Sequence, residues 1–563
     1  MSEFNNLSKE AQGLWNEIMT GVNEKPIHKN PNNPKTKKIL NRIKEIALIN
    51  AAPTEVVFGT SGWRGIVGVS HTITNIARVT EAVVELVKTA NKKLLKSIGV
   101  ADFTDFQKRG VVVGRDNRIL GEEFLETVIA ILQKHKVKVY YAGETPTPEY
   151  SAAVLQLNAA LSINLTPSHN PGAYAGYKLN PSDGGPAGED ITVPLEKIAN
   201  KLMTRPIHIP RINWKNVKKI DTMKLYLKHI NENIPDIINV NELIKFIKSG
   251  EIALAIDHIH GATRGRPKYF FKLTGKEKNI KILNNDDNVL FHGVKPEPNA
   301  KNLKDAEAFL NKSKCKYKLG ALLDPDGDRI RFTNGKEQVD MNNFGALAFH
   351  FLALYKNSIG GVAKTVATSN FVNAIANGLK RPVFETNVGF KYFRPYLKPG
   401  AKQPAICAFE ESDGFSIGYA NILEKDAFGA LMLAIEIIRL TKMDIVEYLK
   451  ALKKSFGVYE AVKSSVDIPA ELSKADKEAK IKKIADMYKI GDKIKLSDKI
   501  EKKVINKFPD DGIKFEFEDK SNLLIRASGT EPIIKIYAES PVSREDCVTI
   551  NSYGTNLVKK VFG

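Results

Sequence analysis

Buried-strand and helix segments alternate through the first third of the chain, and that rhythm limits the folds open to it. GVVVG (110–114) reads as a buried strand. GEEFLETVIAILQKH (121–135) then sets Phe124, Leu125, Val128, Ile129 and Leu132 on one helical face. VKVYYAG (137–143) is a second strand and AALSINL (159–165) a third. Strands alternating with helices predict an α/β fold, a mostly parallel sheet with helices on its faces. The rhythm restarts twice. EIALAID (251–257) and LGALL (319–323) are strands of one further unit. KTVATS (364–369), VFETNVGFKYF (383–393), AICAFEESDGF (405–415) and the helix DAFGALMLAIEIIRL (426–440) form another. The tail differs: KFEFED, LLIRAS and the alternating IIKIYAES (533–540) are short strands. The spacing predicts units at 51–210, 211–342, 343–455 and 456–563. A charged helical leader at 1–50, broken by NPNNP, precedes them and is expected to pack on the first unit or to mediate dimerisation.

Charge and cysteine usage exclude several classes. The net charge of +20 comes from 84 Lys+Arg against 64 Asp+Glu. The lysines fall in short scattered groups (KTKK, NKK, KIKK, DKIEKK) with no basic stripe interleaved with aromatics, so a solvated surface is expected rather than a nucleic-acid partner. The start, MSEFNNLSKEAQ, lacks the layout of a signal peptide. The longest apolar runs, such as GALMLAIEII (429–438), fall short of a membrane span. Cys315, Cys407 and Cys547 lie far apart and suggest neither a disulfide framework nor a metal cluster. The expectation is a cytoplasmic protein with no membrane partner.

In open α/β sheets, ligands bind in loops beyond the strand carboxyl ends. One such loop is in LLDPDGDRIRF (322–332), where Asp324, Asp326 and Asp328 alternate after an apolar strand. Alternate side chains of an extended segment share a face. Three crowded carboxylates call for a cation, and hard oxygen ligands suit Mg²⁺. Calcium is not expected, because the twelfth loop position counted from Asp324 is Gly335 and not glutamate. In RASGTEPIIKIY (526–537), Arg526 is a forked cation and Ser528, Gly529 and Thr530 supply amides and hydroxyls, either a phosphate cradle or an ordinary turn. FEESDGF (409–415) is either a sugar-hydroxyl loop or a solvated acidic one. FGTSGWRG (58–65) reads as a turn carrying Arg64. In LTPSHNPGAYAGYKLN (165–180), proline and glycine on both sides exclude a helix interior and place Ser168 and His169 at a loop tip. Ser168 is there either a nucleophile or the filler of a turn. No GxSxG elbow surrounds it, which argues against an α/β-hydrolase.

Together and in this order, FGTSGWRG, TPSHNP, DPDGDR, FEES and RASGTEP resemble the signature loops of the α-D-phosphohexomutases, across residues 58–532. TPSHNP followed by KLNPSDGGPA (178–187), with the EES form of the sugar loop, is similar to the glucose-phosphate-specific bacterial branch. The resemblance implies three related α/β domains with mixed sheets and a C-terminal α+β, TBP-like domain. It implies an isomerase in which Ser168, as a phosphoserine, converts glucose 1-phosphate to glucose 6-phosphate through glucose 1,6-bisphosphate. Mg²⁺ would be held by Asp324, Asp326, Asp328 and an oxygen on Ser168. Lys178 and Arg64 would flank the reacting oxygens, with Lys178 the better general acid/base. His169 would support the loop and Arg329 the phosphoserine. Glu410 and Ser412 would bind sugar hydroxyls, and Lys391 in GFKYF would reach substrate. Arg526, Ser528, Gly529 and Thr530 would grip the other phosphate from a mobile fourth domain.

Two departures stand out. Asp413 adds a charge beside the sugar loop, and HGVKPEPN (292–299) replaces a more usual hydrophobic-proline stretch. The alternatives are a mutase for mannose or other sugar phosphates, a phosphatase on the same loops, and a non-catalytic nucleic-acid-binding or scaffolding protein. A monomer or homodimer is expected.

Overall fold

A computed structural model of the chain describes residues 2–20, 30–59, 62–418, 421–469, 471–509, 511–528 and 532–563. The first sheet has seven strands. In spatial order they are Phe58–Gly59, Gly62–Ile66, Tyr174–Pro181, Leu161–Leu165, Val111–Arg115, Val139–Glu144 and Val217–Lys219. The last four run parallel, as the alternation predicts, and the first three are antiparallel additions. The helix Gly121–Lys134 buries the predicted face, Phe124 through Leu132. Glu122 and Glu123 in its first turn and Lys134 in its last complement the helix dipole.

The same plan recurs. In the second sheet Tyr317–Leu323 lies parallel to Ile252–Asp257 and antiparallel to Ile330–Thr333. In the third Ala405–Glu410 lies parallel to Gly361–Thr365 and antiparallel to Gly414–Ile417. Each sheet therefore has one parallel strand that turns back on itself through a hairpin. The three hairpin connections are 166–173, 324–329 and 411–413. The fourth sheet is antiparallel, in the order Glu460–Asp467, Ile533–Ser540, Asn522–Ala527, Ile513–Phe517, Glu501–Phe508, Lys493–Lys495. Its Arg526 stands at the start of another hairpin connection.

The leader folds as two helices, Ser2–Thr20 and Pro34–Ile49. Trp15, Ile18, Ile39, Leu40 and Ile43 join the core of the first sheet, and Trp15 Nε1 donates to Val67 O at 2.9 Å. One apolar core runs without a break from the second sheet into the third, from Tyr226 and Ile256 through Phe344 to Phe409 and Leu431. A backbone link reinforces it, with Ile330 N donating to Asp413 O at 2.9 Å. The fourth sheet has its own core. Among the described residues no helix is long and apolar enough to cross a membrane, and the three cysteines are free.

Candidate active site

The Ser168 connection leaves the parallel edge of the first sheet and is buried rather than exposed at a tip. Ser168 has no exposed surface and takes the left-handed conformation, φ 57°. The reason it can be buried is Arg118. Its guanidinium donates to the carbonyls of Ser168 (2.7 Å), Asn170 (2.5 Å) and Tyr174 (3.3 Å), and also to Pro171 O. These are carbonyls that a loop would otherwise offer to water. Asp116 accepts from Arg118 at 3.0 Å and from Thr166 Oγ1 at 2.7 Å. Thr166 Oγ1 in turn accepts Ser168 N at 2.9 Å.

Ser168 Oγ donates to Asp324 Oδ2 at 2.9 Å. The DPDGDR segment is not extended, as the spacing argument assumed. It is a tight turn in which Asp324 Oδ1 accepts the amides of Asp328 and Arg329, both at 3.0 Å. Gly327 closes the turn at φ +67°, where a Cβ would stand 2.7 Å from the Thr263 side chain. The three carboxylates still converge, with ligand oxygens within 4.8 Å of one another and all three residues buried. Lys178, from the returning strand of the first sheet, donates to Asp326 Oδ2 at 2.6 Å and Asp328 Oδ2 at 3.1 Å. Lys425 reaches Asp328 Oδ2 at 2.9 Å and lies 3.9 Å from Glu410 Oε1, tying the acidic turn to the 411–413 hairpin.

This crowding sets the proton affinities. Burial, with Asp326 and Asp328 beside it, pushes the Asp324 carboxyl well above the ordinary range. Burial works the same way on Asp328, but Lys178, Lys425 and Arg329 outweigh it and hold that carboxyl well below the usual value. Burial disfavours the charged form of Lys178, yet Asp326 and Asp328 prevail and raise its pKa. Burial and the neighbouring Arg329 lower Arg64 to about 10. Burial, with Arg329 and Arg64 adding to it, keeps His169 neutral. Asp326 Oδ1 and Asp328 Oδ1 are buried without a hydrogen-bond partner. Two orphaned carboxylate oxygens in a set of three buried aspartates are the donors a hard divalent cation wants, so these residues fit Mg²⁺.

The structure brings Ser168, His169, Lys178, Arg64, Arg329 and the three aspartates into one cluster. His169 Nδ1 is 3.4 Å from Ser168 Oγ, and Arg64 donates to Asn170 Oδ1 at 2.7 Å. Arg329 pairs across to Gly414, beside the 411–413 connection, and Ser412 lies in that connection, half-buried. Lys391 and Arg526 belong to a second group. Lys391 Nζ donates to Glu189 Oε1 at 2.8 Å. Arg526 donates to Asp511 Oδ1 at 3.1 Å, and Asp511 Oδ2 accepts Val388 N at 2.8 Å, three residues before Lys391. Ser528 lies largely buried on the fourth sheet's hairpin, while Gly529 and Thr530 lie outside the described residues. The extra charge of Asp413 does not stand free in the 411–413 connection. Arg331 of the second sheet holds its carboxylate at 2.9 Å, and burial with that partner leaves its pKa at about 6. A cavity of about 190 Å³ opens behind this hairpin, lined by Arg331, Glu411, Lys463, Tyr537 and Glu539 among others, away from Ser168.

Four family models match in chain order. They are phosphoglucomutase/phosphomannomutase α/β/α domain I at residues 55–205, domain II at 224–336, domain III at 340–456 and the C-terminal domain at 470–548. The chain belongs to the α-D-phosphohexomutase superfamily. This phosphohexomutase is an isomerase of phosphosugars. It is 27% identical to a phosphoglucomutase of Komagataeibacter xylinus over 546 residues, 91% of this chain and 92% of the relative. It is 24% identical to a phosphoglucosamine mutase of Prochlorococcus marinus, over 90% of this chain and 98% of the relative. Its fold is similar to the open form of Paramecium pp63/parafusin, with a TM-score of 0.68 and 20% identity over 90% of this chain and 96% of that one. A Burkholderia thailandensis phosphoglucomutase/phosphomannomutase family protein gives 0.67 at 19% identity, over 90% and 98%.

Sequence reasoning missed three residues that this phosphohexomutase uses to build the cluster. Arg118 sits in RDNR directly after a buried strand, a dense charge run where the chain enters the core. Lys425 precedes Asp426, the cap of helix Ala427–Thr441. Thr147, whose hydroxyl donates to Asp326 Oδ2 at 2.8 Å, carries no signal in its own segment.

Proposed function

We propose that this phosphohexomutase is a phosphoglucomutase that interconverts α-D-glucose 1-phosphate and glucose 6-phosphate, with Ser168 carrying the phosphoryl group. The observation that carries the reading is the setting of Ser168. Its hydroxyl stands on a left-handed, fully clamped residue, 2.9 Å from one member of a buried aspartate triad. The glucose preference is supported by the EES form of the 410–412 loop and by the relative named phosphoglucomutase. A glucosamine phosphate is the second reading, supported by the relative of that name that spans 90% of this chain.

In this cycle a sugar hydroxyl takes the phosphoryl group from Ser168, giving glucose 1,6-bisphosphate, which turns over and returns its other phosphate to the serine. Phosphoryl transfer asks the protein mainly for positioning and for charge to neutralise. Thr166 and Arg118 fix where the serine oxygen stands. Arg64 and Arg329 are half-buried cations of the same cluster. Lys178, kept charged by Asp326 and Asp328, gives its proton to the serine oxygen as the phosphoryl group leaves and, then neutral, takes the proton of the attacking hydroxyl, while His169 stays neutral and supports the loop. Asp324, Asp326, Asp328 and a phosphoserine oxygen would hold Mg²⁺, which when bound neutralises phosphoryl charge. Glu410 and Ser412 bind sugar hydroxyls, and Lys391 contacts the substrate. Arg526 and Ser528, with Gly529 and Thr530, hold the phosphate that is not transferred. Units at 51–210, 211–342, 343–455 and 456–563 each supply at least one of these loops.

The test is a coupled assay with glucose 1-phosphate, Mg²⁺ and a trace of glucose 1,6-bisphosphate, following glucose 6-phosphate through a dehydrogenase. Rapid turnover that Ser168→Ala largely removes is the expected result. Glucosamine or mannose phosphates turned over faster than glucose phosphates would move the assignment to those sugars. No turnover of any of them by folded, Mg²⁺-supplied protein would refute the mutase reading.

A further inference from the structure

HGVKPEPN (292–299) belongs to none of the five site loops, yet its first residue meets two other metal-ligating side chains. His260, Asp286 and His292 each offer a ligand atom, and those atoms lie within 4.8 Å of one another. His260 Nδ1 is 2.8 Å from Asp286 Oδ1, and His292 Nε2 is 3.0 Å from Asp286 Oδ2. The two rings lie 4.4 Å apart. His260 is only 5% exposed, and its buried Nδ1 pairs with the Asp286 carboxylate without the alignment of a good hydrogen bond. A buried ring nitrogen so poorly aligned with its partner is costly unless something else meets it. The Asp286 and His292 side chains are 60% and 46% exposed, so the cluster opens to solvent on one side.

We propose that His260, Asp286 and His292 form a binding site for a zinc-class divalent cation, separate from the aspartate triad. Two imidazole nitrogens and one carboxylate oxygen suit zinc, cobalt or nickel, whereas Mg²⁺ takes all-oxygen sites. Three protein ligands leave the remaining coordination to water on the open side. The backbone is bent to make this meeting. Ile259, His260, Asn284, Phe291 and His292 all take φ between 43° and 56°. For residues other than glycine such conformations cost free energy and are kept where the surroundings demand them.

The cluster also sits at a joint. Asn117 Nδ2 donates to His260 O at 2.6 Å and to Asp287 Oδ1 at 3.1 Å, tying both ligand segments to the first sheet. The next residue, Arg118, lies over the Phe291 ring at 4.9 Å while it clamps the Ser168 connection. That connection presses on the same segment, since a Cβ at Gly172 would stand 2.9 Å from Val289 O. A cation would therefore cross-link the 258–260 and 286–292 segments beneath the serine loop.

The experiment uses the full-length, tag-free protein with Mg²⁺ at saturation, so that the aspartate triad is supplied with its own cation. Zn²⁺ binding is followed by calorimetry, and Co²⁺ binding by visible absorption. The expected result is one further cation site, Co²⁺ bands of nitrogen ligation that Zn²⁺ displaces, and a rise in Tm with Zn²⁺. His292→Ala and Asp286→Asn change exposed side chains, and each should weaken Zn²⁺ at least about tenfold with an unchanged circular dichroism spectrum. Absence of Zn²⁺ binding at saturating Mg²⁺, or variants that bind Zn²⁺ as tightly as the wild type, would overturn the proposal.

Discussion

Arg118→Met isolates what the clamp on the serine loop contributes. Arg118 is 4% exposed and serves four carbonyls and one carboxylate at once. Methionine keeps much of the volume and removes every donor. Asp116, 1% exposed, then keeps a buried charge opposite no cation, and breaking such a pair costs about 3–5 kcal/mol. The carbonyls of Ser168 and Asn170 lose their donors as well, at about 1–3 kcal/mol for each one that water cannot reach. The loop can recover part of this only by swinging its carbonyls outward, which moves Ser168 Oγ away from Asp324. The expected outcome is therefore double. Chemical denaturation should show a loss of at least about 3 kcal/mol, and kcat should fall far more than KM changes. Arg118→Lys is the control: a lysine restores the charge opposite Asp116 but cannot fork to several carbonyls. It should regain much of the stability and little of the kcat. Wild-type stability and turnover in Arg118→Met, or full rescue by lysine, would refute the reasoning.

Other predictions follow from the same geometry. Chelation should abolish turnover and added Mg²⁺ restore it. Asp326→Asn should cost at least about a hundredfold in kcat while melting at or above the wild-type temperature, because it relieves repulsion among buried carboxylates. Trp15→Ala removes a fully buried side chain and its bond to Val67 O, and denaturation should show a loss of about 3–5 kcal/mol. Asp426, buried and bonded by Tyr226 and Gly429 N, has its pKa raised by burial to about 6. Its folded form holds a proton that the unfolded chain releases near pH 4. The stability it contributes is present below that pH and lost as pH rises through about 6. Melting curves should show the advantage of wild type over Asp426→Asn shrinking across that interval, and a difference that stays flat would contradict the assignment.

Much of this was legible because apolar strands announce themselves and polar loops follow them. The strands at 111–115, 161–165, 252–257 and 405–410 fall where the runs of Val, Ile, Leu and Ala predict them. Ser168, Lys178 and the aspartate triad are joined by hydrogen bonds within one cluster. What stayed hidden depends on the third dimension. Arg118 lies 50 residues before Ser168, and nothing local says that one guanidinium will cover a whole loop. Asp413 looks like a free charge until the second sheet supplies Arg331. DKIEKK reads as a solvated lysine group, yet Lys502 is buried between Asp519 and Asp546 and is the second residue of a strand of the fourth sheet. There the buried positions alternate between Lys502, whose stem is covered, and Val504 of the core, so only half of the pattern is apolar.

The unbroken core between the second and third sheets has a mechanical consequence. Side chains packed at interior density do not slide past one another gradually. The acidic turn and the 411–413 hairpin are therefore held in one fixed register, set when the protein folds. A substitution at the Phe332–Phe344 contact, with ring centroids 4.5 Å apart, would thus disturb the register of the two hairpins without touching either connection.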